Sequence, residues 1–349
     1  MMWRKITTAA AALMMAATLS CSRLQQNSAS FAADGTAYVQ RVIPMPPTVS
    51  PEAQKWLASL AERKPGPDSL AAIRAATDDW RKKDSAEARS IYPVNVEEAS
   101  IAGVRTDIIT PITTPEPNQS RVLINLHGGG FISDSGSLIE GIPIANLTKT
   151  KVVSVYYRLA PENPFPAAVD DVVAVYRELL KTYKPSSIGM FGTSAGAILT
   201  CEVAVRLKQL GVPLPAALGI FSAHADFSRS SDSRAMFTLD GLPGRLEVPD
   251  SKRTPHSQYP GNTDPKDPVL SPIFADLHGM PPSLLVTSTR DLLLSDTALF
   301  HLALLRAGND AQLVVFEALP HAFWYHFQLP ETKEALQLMA DFFDKKVGH

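Results

Sequence analysis

From residue 122 to residue 346 the chain repeats one rhythm: a short continuous apolar run, then a stretch with helical spacing. The apolar runs fall at residues 122–126, 152–156, 188–191, 217–221, 284–286 and 313–316. Helical stretches fall at 166–183, 195–210, 296–307 and 331–346. Strands that read as unbroken apolar runs are buried on both faces, and strand–helix alternation joins them in parallel. The fold class this predicts is α/β, a mostly parallel sheet with helices on both faces. Upstream, residues 94–101 and 104–110 alternate like half-exposed antiparallel strands. With 349 residues, 45% of them apolar, the chain can bury one large core.

The rhythm is interrupted once. About sixty residues rich in Ser, Asp, Pro and Gly separate Phe221 from Leu284. A compact domain rarely needs so long a bare connection, so this segment is expected to form a lid. Two N-terminal helices outside the alternation are expected to join it. One is started by Ser50-Pro51-Glu52, with a Ser cap and Pro in the first turn; the other runs over residues 68–83. The expected organisation is an export segment and linker over residues 1–33, then one domain over 34–349. Its cap would come from about 45–90 and 223–270.

Arg4 and Lys5 precede a short apolar run that ends at Leu19, followed by a polar stretch. That run is too short to span a bilayer and has the flanks of an export signal, which predicts a periplasmic or secreted protein. Cys21 is a candidate lipid-anchor residue, although Thr18-Leu19-Ser20-Cys21 lacks the aliphatic residue expected three positions before such a cysteine. Cleavage after Ser30-Phe31-Ala32 is the other reading. Cys201 is the only further cysteine, so no disulfide framework exists, and its helical setting makes it a small core residue. The net charge of −2 gives no electrostatic case for a nucleic-acid partner.

The chemistry concentrates at strand ends. Gly192-Thr193-Ser194-Ala195-Gly196 fits Gly-x-Ser-x-Gly, after a predicted strand and at the start of a predicted helix. That context makes Ser194 the candidate nucleophile on a sharp turn, with glycines where side chains would collide. His127-Gly128-Gly129-Gly130-Phe131 follows the 122–126 strand. No Gly-Lys-Ser/Thr follows it, so an anion cradle for a reacting oxygen is favoured over a nucleotide site. Gly129, Gly130 and Ala195 are the expected oxyanion-hole donors, and His127 a structural anchor. A nucleophilic serine needs a base and an orienting acid. Among eight histidines, His321 follows the last strand at the sheet edge that carries Ser194; His326 is its nearest rival. Asp291 ends the strand before it, and Asp296 is the alternative acid. The order Ser194, Asp291, His321 is that of the α/β-hydrolases.

Together with Tyr157-Arg158-Leu159-Ala160-Pro161-Glu162 and its continuation to Asp171, these motifs resemble the hormone-sensitive-lipase-like carboxylesterases, bacterial family IV, over about residues 122–346. The resemblance implies an eight-stranded α/β-hydrolase core, a helical cap, no cofactor or metal, and hydrolysis of short- to medium-chain acyl esters. It leaves a homodimer compatible with the sequence. Two departures stand out. Many relatives carry Asp where this chain has Thr193, and the acid loop reads Asp291-Leu292-Leu293-Leu294-Ser295-Asp296 instead of Asp-Pro-x-x-Asp-Glu. Arg158 and Glu162 are expected to pair, and Asp170 to anchor a loop. A lactone hydrolase would use the same residues. A non-catalytic receptor on this fold would have lost the His that is present here as His321, and a peptidase is not separated from an esterase by these residues.

Overall fold

The computed structural model describes residues 30–34, 37–38, 42–62, 66–242 and 258–348. The export segment, Cys21 and His256 lie outside the described residues. The chain divides into two units, 1–46 and 47–349. In the first, β1 (Ser30–Phe31) pairs antiparallel with β2 (Ala37–Tyr38). The second holds the remaining elements.

It opens with α1 (Pro51–Leu60) and α2 (Leu70–Ile91). Ser50 caps α1 by accepting from Ala53 N at 3.0 Å. Its own N–H and hydroxyl donate to Glu331, so the cap also ties α1 to the last helix. α2 runs well past the expected residue 83. Its Arg74 Nε donates to Ile132 O at 2.7 Å, and its guanidinium grips Glu162.

The antiparallel hairpin β3 (Val94–Ile101) and β4 (Val104–Pro111) follows, with alternating exposure along β3. After a one-turn helix α3 (Glu116–Gln119), the alternation begins. It runs β5 (Val122–Leu126), α4 (Ser137–Thr148), β6 (Lys151–Val155), α5 (Ala167–Leu179), β7 (Ile188–Thr193), α6 (Ala195–Gln209) and β8 (Ala217–Phe221). The long insertion carries the short helix α7 (Asp232–Met236), and β9 (Ser283–Ser288), α8 (Leu294–Arg306), β10 (Ala311–Phe316) and α9 (Pro330–Lys346) close the chain.

One eight-stranded sheet results, in the order β10-β9-β8-β7-β5-β6-β4-β3. Only β4 runs against its neighbours; the pairs from β6 to β10 are parallel. The strand order reverses around β5, between β7 and β6. In open parallel sheets the crevice at the carboxyl ends beside such a reversal is where ligands bind. The central strands β5, β7, β8 and β9 are buried at every position, which is why they read as unbroken apolar runs.

Alternate residues feed two cores. Ile124, Leu126 and Met190 face a core shared with α5, α6 and α8, whereas Leu123, Phe191 and Phe221 face one shared with α4 and α9. Cys201 is buried in the first core and free, as expected. Helix α4 was not expected from the sequence. Nine of its twelve residues are buried, and it contains Gly141 and Pro143. A helix enclosed on nearly all sides carries no polar face, so it has no amphipathic period to detect.

The described residues of the insertion after β8 contact the segments that follow β9 and β10. Ser231 and Arg234 bind Asp296 on α8 at 2.9 and 3.0 Å. Gly241 lies close to Pro320 and Arg290, in the loops that follow β10 and β9. The Tyr259 ring stacks on Phe131 with centroids 3.5 Å apart, and its hydroxyl donates to the buried Glu202 at 2.5 Å.

Candidate active site

Ser194 sits between β7 and α6 with φ 58° and ψ −121°. This is a sparsely populated conformation for a residue with a side chain, and it persists only where the surroundings enforce it. The enforcement is visible. A Cβ on Gly192 or on Gly196 would overlap the Leu126 carbonyl oxygen at the end of β5. Glycines two before and two after the serine therefore let the turn close against the neighbouring strand. Ser194 N donates to Phe221 O at 3.0 Å, and its side chain takes no part in capping α6. The half-buried hydroxyl stands at the helix N-terminus, where backbone N–H groups and the helix dipole favour negative charge.

The glycine loop after β5 lies alongside. Gly129 and Gly130 both adopt positive φ, and a Cβ on Gly129 would overlap the Ser133 carbonyl. Ala195 is the first residue of α6, so its N–H has no acceptor within that helix. His127 is buried and faces inward. Its ring stacks on Tyr157 at 4.1 Å, its Nδ1 lies 2.8 Å from Gly128 O, and Tyr157 OH donates to its carbonyl at 2.6 Å. Asp134 stands 3.6 Å from that ring. Burial opposes its ionisation, but His127, Ser137 and Arg81 outweigh burial and hold its carboxyl below the ordinary range. This cluster braces the loop.

Asp291 and His321 come together from the loops after β9 and β10. His321 Nδ1 lies 2.9 Å from Asp291 Oδ1. Asp291 is wholly buried, which on its own would raise its pKa. His321, the Ser222 hydroxyl and Leu293 N–H reverse that and hold the carboxyl below the ordinary range. Thr287 Oγ1 completes the set at 3.1 Å. Ser222 was not singled out in the sequence. It follows β8 directly, is fully buried, and its Oγ lies 2.5 Å from Asp291 Oδ2 and 2.9 Å from His321 Nδ1. Phe221 accepts from Ser194 N, and the next residue, Ser222, is the one that touches both Asp291 and His321. Trp324, three residues beyond His321, donates its ring N–H to Thr193 Oγ1 at 3.0 Å. The histidine loop is thus bonded to the residue before Ser194.

The rivals sit elsewhere. His326 packs on Trp56 of α1 with ring centroids 4.1 Å apart. Asp296 holds Arg234 and Ser231 of the insertion; burial raises its pKa against the pull of Arg234. His278 binds Asp276 on an exposed loop, and His301 lies 3.2 Å from Ala311 O.

Two expectations for the Tyr157–Asp171 segment are corrected. Arg158 and Glu162 do not pair. Arg158 binds Asp171 at 2.8 Å, while Glu162 binds Arg74 of α2 at 2.7 Å. The loop anchor is also Asp171 and not Asp170, since Asp171 accepts Arg158 N at 2.8 Å and Asp170 is exposed. The register of α5 explains this: Ala168, Asp171, Val172 and Val175 share its buried stripe. Among the described residues no cluster of three or more His, Cys, Asp or Glu side chains could hold a metal ion.

Residues 123–325 match the family described as the alpha/beta hydrolase fold. The chain belongs to this family. It is 34% identical over 241 residues to an acetyl-hydrolase of Streptomyces hygroscopicus, covering 67% of this chain and 79% of that protein. The crystal structure of an esterase, E25, superposes with a TM-score of 0.76 at 32% identity, covering 90% of this chain and 99% of that one. An esterase from the bacterial hormone-sensitive lipase family gives a TM-score of 0.72 at 31% identity, covering 85% and 98%. The chain is a hormone-sensitive-lipase-like α/β-hydrolase of family IV and a carboxylic ester hydrolase.

Proposed function

We propose that Ser194, His321 and Asp291 are the catalytic triad of this esterase and that its substrates carry short to medium acyl chains. The observation that carries the reading is the 2.9 Å contact between His321 and buried Asp291 beside a serine held at positive φ. Asp291 orients the ring with its proton on Nδ1, which leaves Nε2 to take the Ser194 proton. The serine oxygen then attacks the ester carbonyl. Backbone N–H groups of Gly129, Gly130 and Ala195 stabilise the negative oxygen that develops. Collapse expels the alcohol, which receives the proton from His321, and leaves an acyl-serine. A water molecule, deprotonated by the same ring, attacks the acyl carbonyl and releases the acid, restoring Ser194.

The acyl-chain reading rests on the cap and on one relative. α2 reaches the segment beyond the glycine loop through Arg74, and the insertion reaches the same region through Tyr259 and Phe131. A site roofed from two sides favours short acyl groups over long ones. The Streptomyces relative is named an acetyl-hydrolase, which points the same way.

The test is kcat/KM on nitrophenyl esters from acetyl to palmitoyl, with wild type and Ser194→Ala, together with mass spectrometry after fluorophosphonate treatment. The expected optimum lies between acetyl and octanoyl, with label on Ser194 and no turnover in the variant. An active Ser194→Ala enzyme would overturn the triad, and a palmitoyl optimum would overturn the short-chain reading.

A further inference from the structure

The proposed triad assigns no task to Ser222, yet that residue touches both of its supporting members. Its backbone sits at φ 55° directly after β8, with its N–H donated to Val286 O at 2.7 Å. That conformation is costly for a residue with a side chain. It turns the hydroxyl into the space between the β9 and β10 loops.

The hydrogen bonds leave that hydroxyl one arrangement. Asp291 is ionised and can only accept, so the 2.5 Å contact commits the Ser222 hydrogen to Oδ2. The same oxygen is 2.9 Å from His321 Nδ1. With its hydrogen already given away, it can only accept from that nitrogen. The Nδ1 proton is therefore shared between Asp291 Oδ1 and Ser222 Oγ, both at 2.9 Å. A ring with a bare Nδ1 would face two acceptors with no proton between them. Such a ring would carry its proton on Nε2, the atom that must take the hydrogen of Ser194.

We infer that Ser222 is a positioning residue of the ester hydrolysis: its hydroxyl locks His321 in the Nδ1–H tautomer and holds Asp291 and His321 as one unit. The inference rests on the triad reading above. Nothing in the sequence pattern marks a serine in a loop for this task.

The experiment compares Ser222→Gly and Ser222→Ala with wild type, each with and without Asp291→Asn, by kcat and KM on nitrophenyl acetate and by urea unfolding. Glycine is the informative variant because it removes the hydroxyl while suiting a positive φ. For both variants kcat should fall about 10- to 100-fold, the loss expected for one hydrogen bond to a charged group, with KM within about twofold. In the Asp291→Asn background the same change should lower kcat by less than about threefold, because the unit is already broken. Wild-type kcat in Ser222→Gly beside a crippled Asp291→Asn would overturn the inference and leave the triad standing. So would a rise in KM at constant kcat, or losses that multiply in the double variant. A fully active Asp291→Asn enzyme would overturn the triad reading and this inference with it.

Discussion

A buried carboxyl lies beneath the serine turn, and its titration should make the fold lose stability in alkali. Glu140 projects from α4, is 4% exposed, accepts from Asn125 Nδ2 at 2.9 Å and is hydrogen-bonded to Tyr325 OH and Thr193. The small cavity beside it is otherwise lined largely by Ile139, Ile144, Phe191, Phe221 and Trp324. Burial in these apolar surroundings, with Asp134 adding repulsion, outweighs the hydrogen bonds from Tyr325, Asn125 and Thr193. The pKa rises from the ordinary 4.5 to about 8. Between those values the folded chain holds a proton that the unfolded chain has released. Stability from this group is therefore intact below the unfolded value, falls as pH rises towards about 8, and changes no further above it. At about 1.4 kcal/mol per pH unit, that interval amounts to at most about 5 kcal/mol.

Glu140→Gln isolates the effect. The amide keeps the shape, can accept from Asn125 and can donate to Tyr325, and it does not ionise. Urea unfolding of wild type and variant from pH 5 to pH 9 gives the difference directly, since all other titrations are common to both. The expected difference is small at pH 5 and grows to several kcal/mol in favour of the variant at pH 9. A difference constant within about 1 kcal/mol over that range would refute a neutral, buried Glu140.

Asp291→Asn should lower kcat by about 10⁴-fold, as expected when the orienting carboxylate of a triad is lost, while Asp296→Asn costs less than tenfold because its bonds serve the insertion. Stopped-flow or steady-state turnover of nitrophenyl acetate ranks the two, and the reverse ranking would move the acid to Asp296. Tyr259→Phe should destabilise by about 1–3 kcal/mol in urea unfolding, since it leaves the wholly buried Glu202 without its hydroxyl donor. Unchanged stability would show that this bond does not hold the insertion to α6.

The parts of the site that were legible in the sequence are those where backbone geometry restricts composition. The serine turn demands glycine at 192 and 196 because the Leu126 carbonyl leaves no room for a Cβ, so the motif shows itself. Asp291 and His321 were singled out by topology, since in a parallel sheet loops after consecutive strands reach the same edge, and the structure brings these two side chains into contact. What stayed hidden is contact chemistry between side chains far apart in the chain. Glu162 finds Arg74, 88 residues away, where nearness in sequence suggested Arg158. Asp171 was recoverable from the α5 stripe, but Ser222, Trp324 and Glu140 had no period or motif to mark them. Thr193 shows why these hidden contacts matter. At position 193 this chain places a neutral hydroxyl, and the carboxyl that it meets comes from α4 as Glu140. Trp324 donates to Thr193 from three residues beyond His321. An acid at 193 would put a second carboxyl against Glu140 in an apolar setting, which costs several kcal/mol when both ionise. The threonine and the buried glutamate therefore form one polar unit, in which the helix beneath the serine turn supplies the carboxyl.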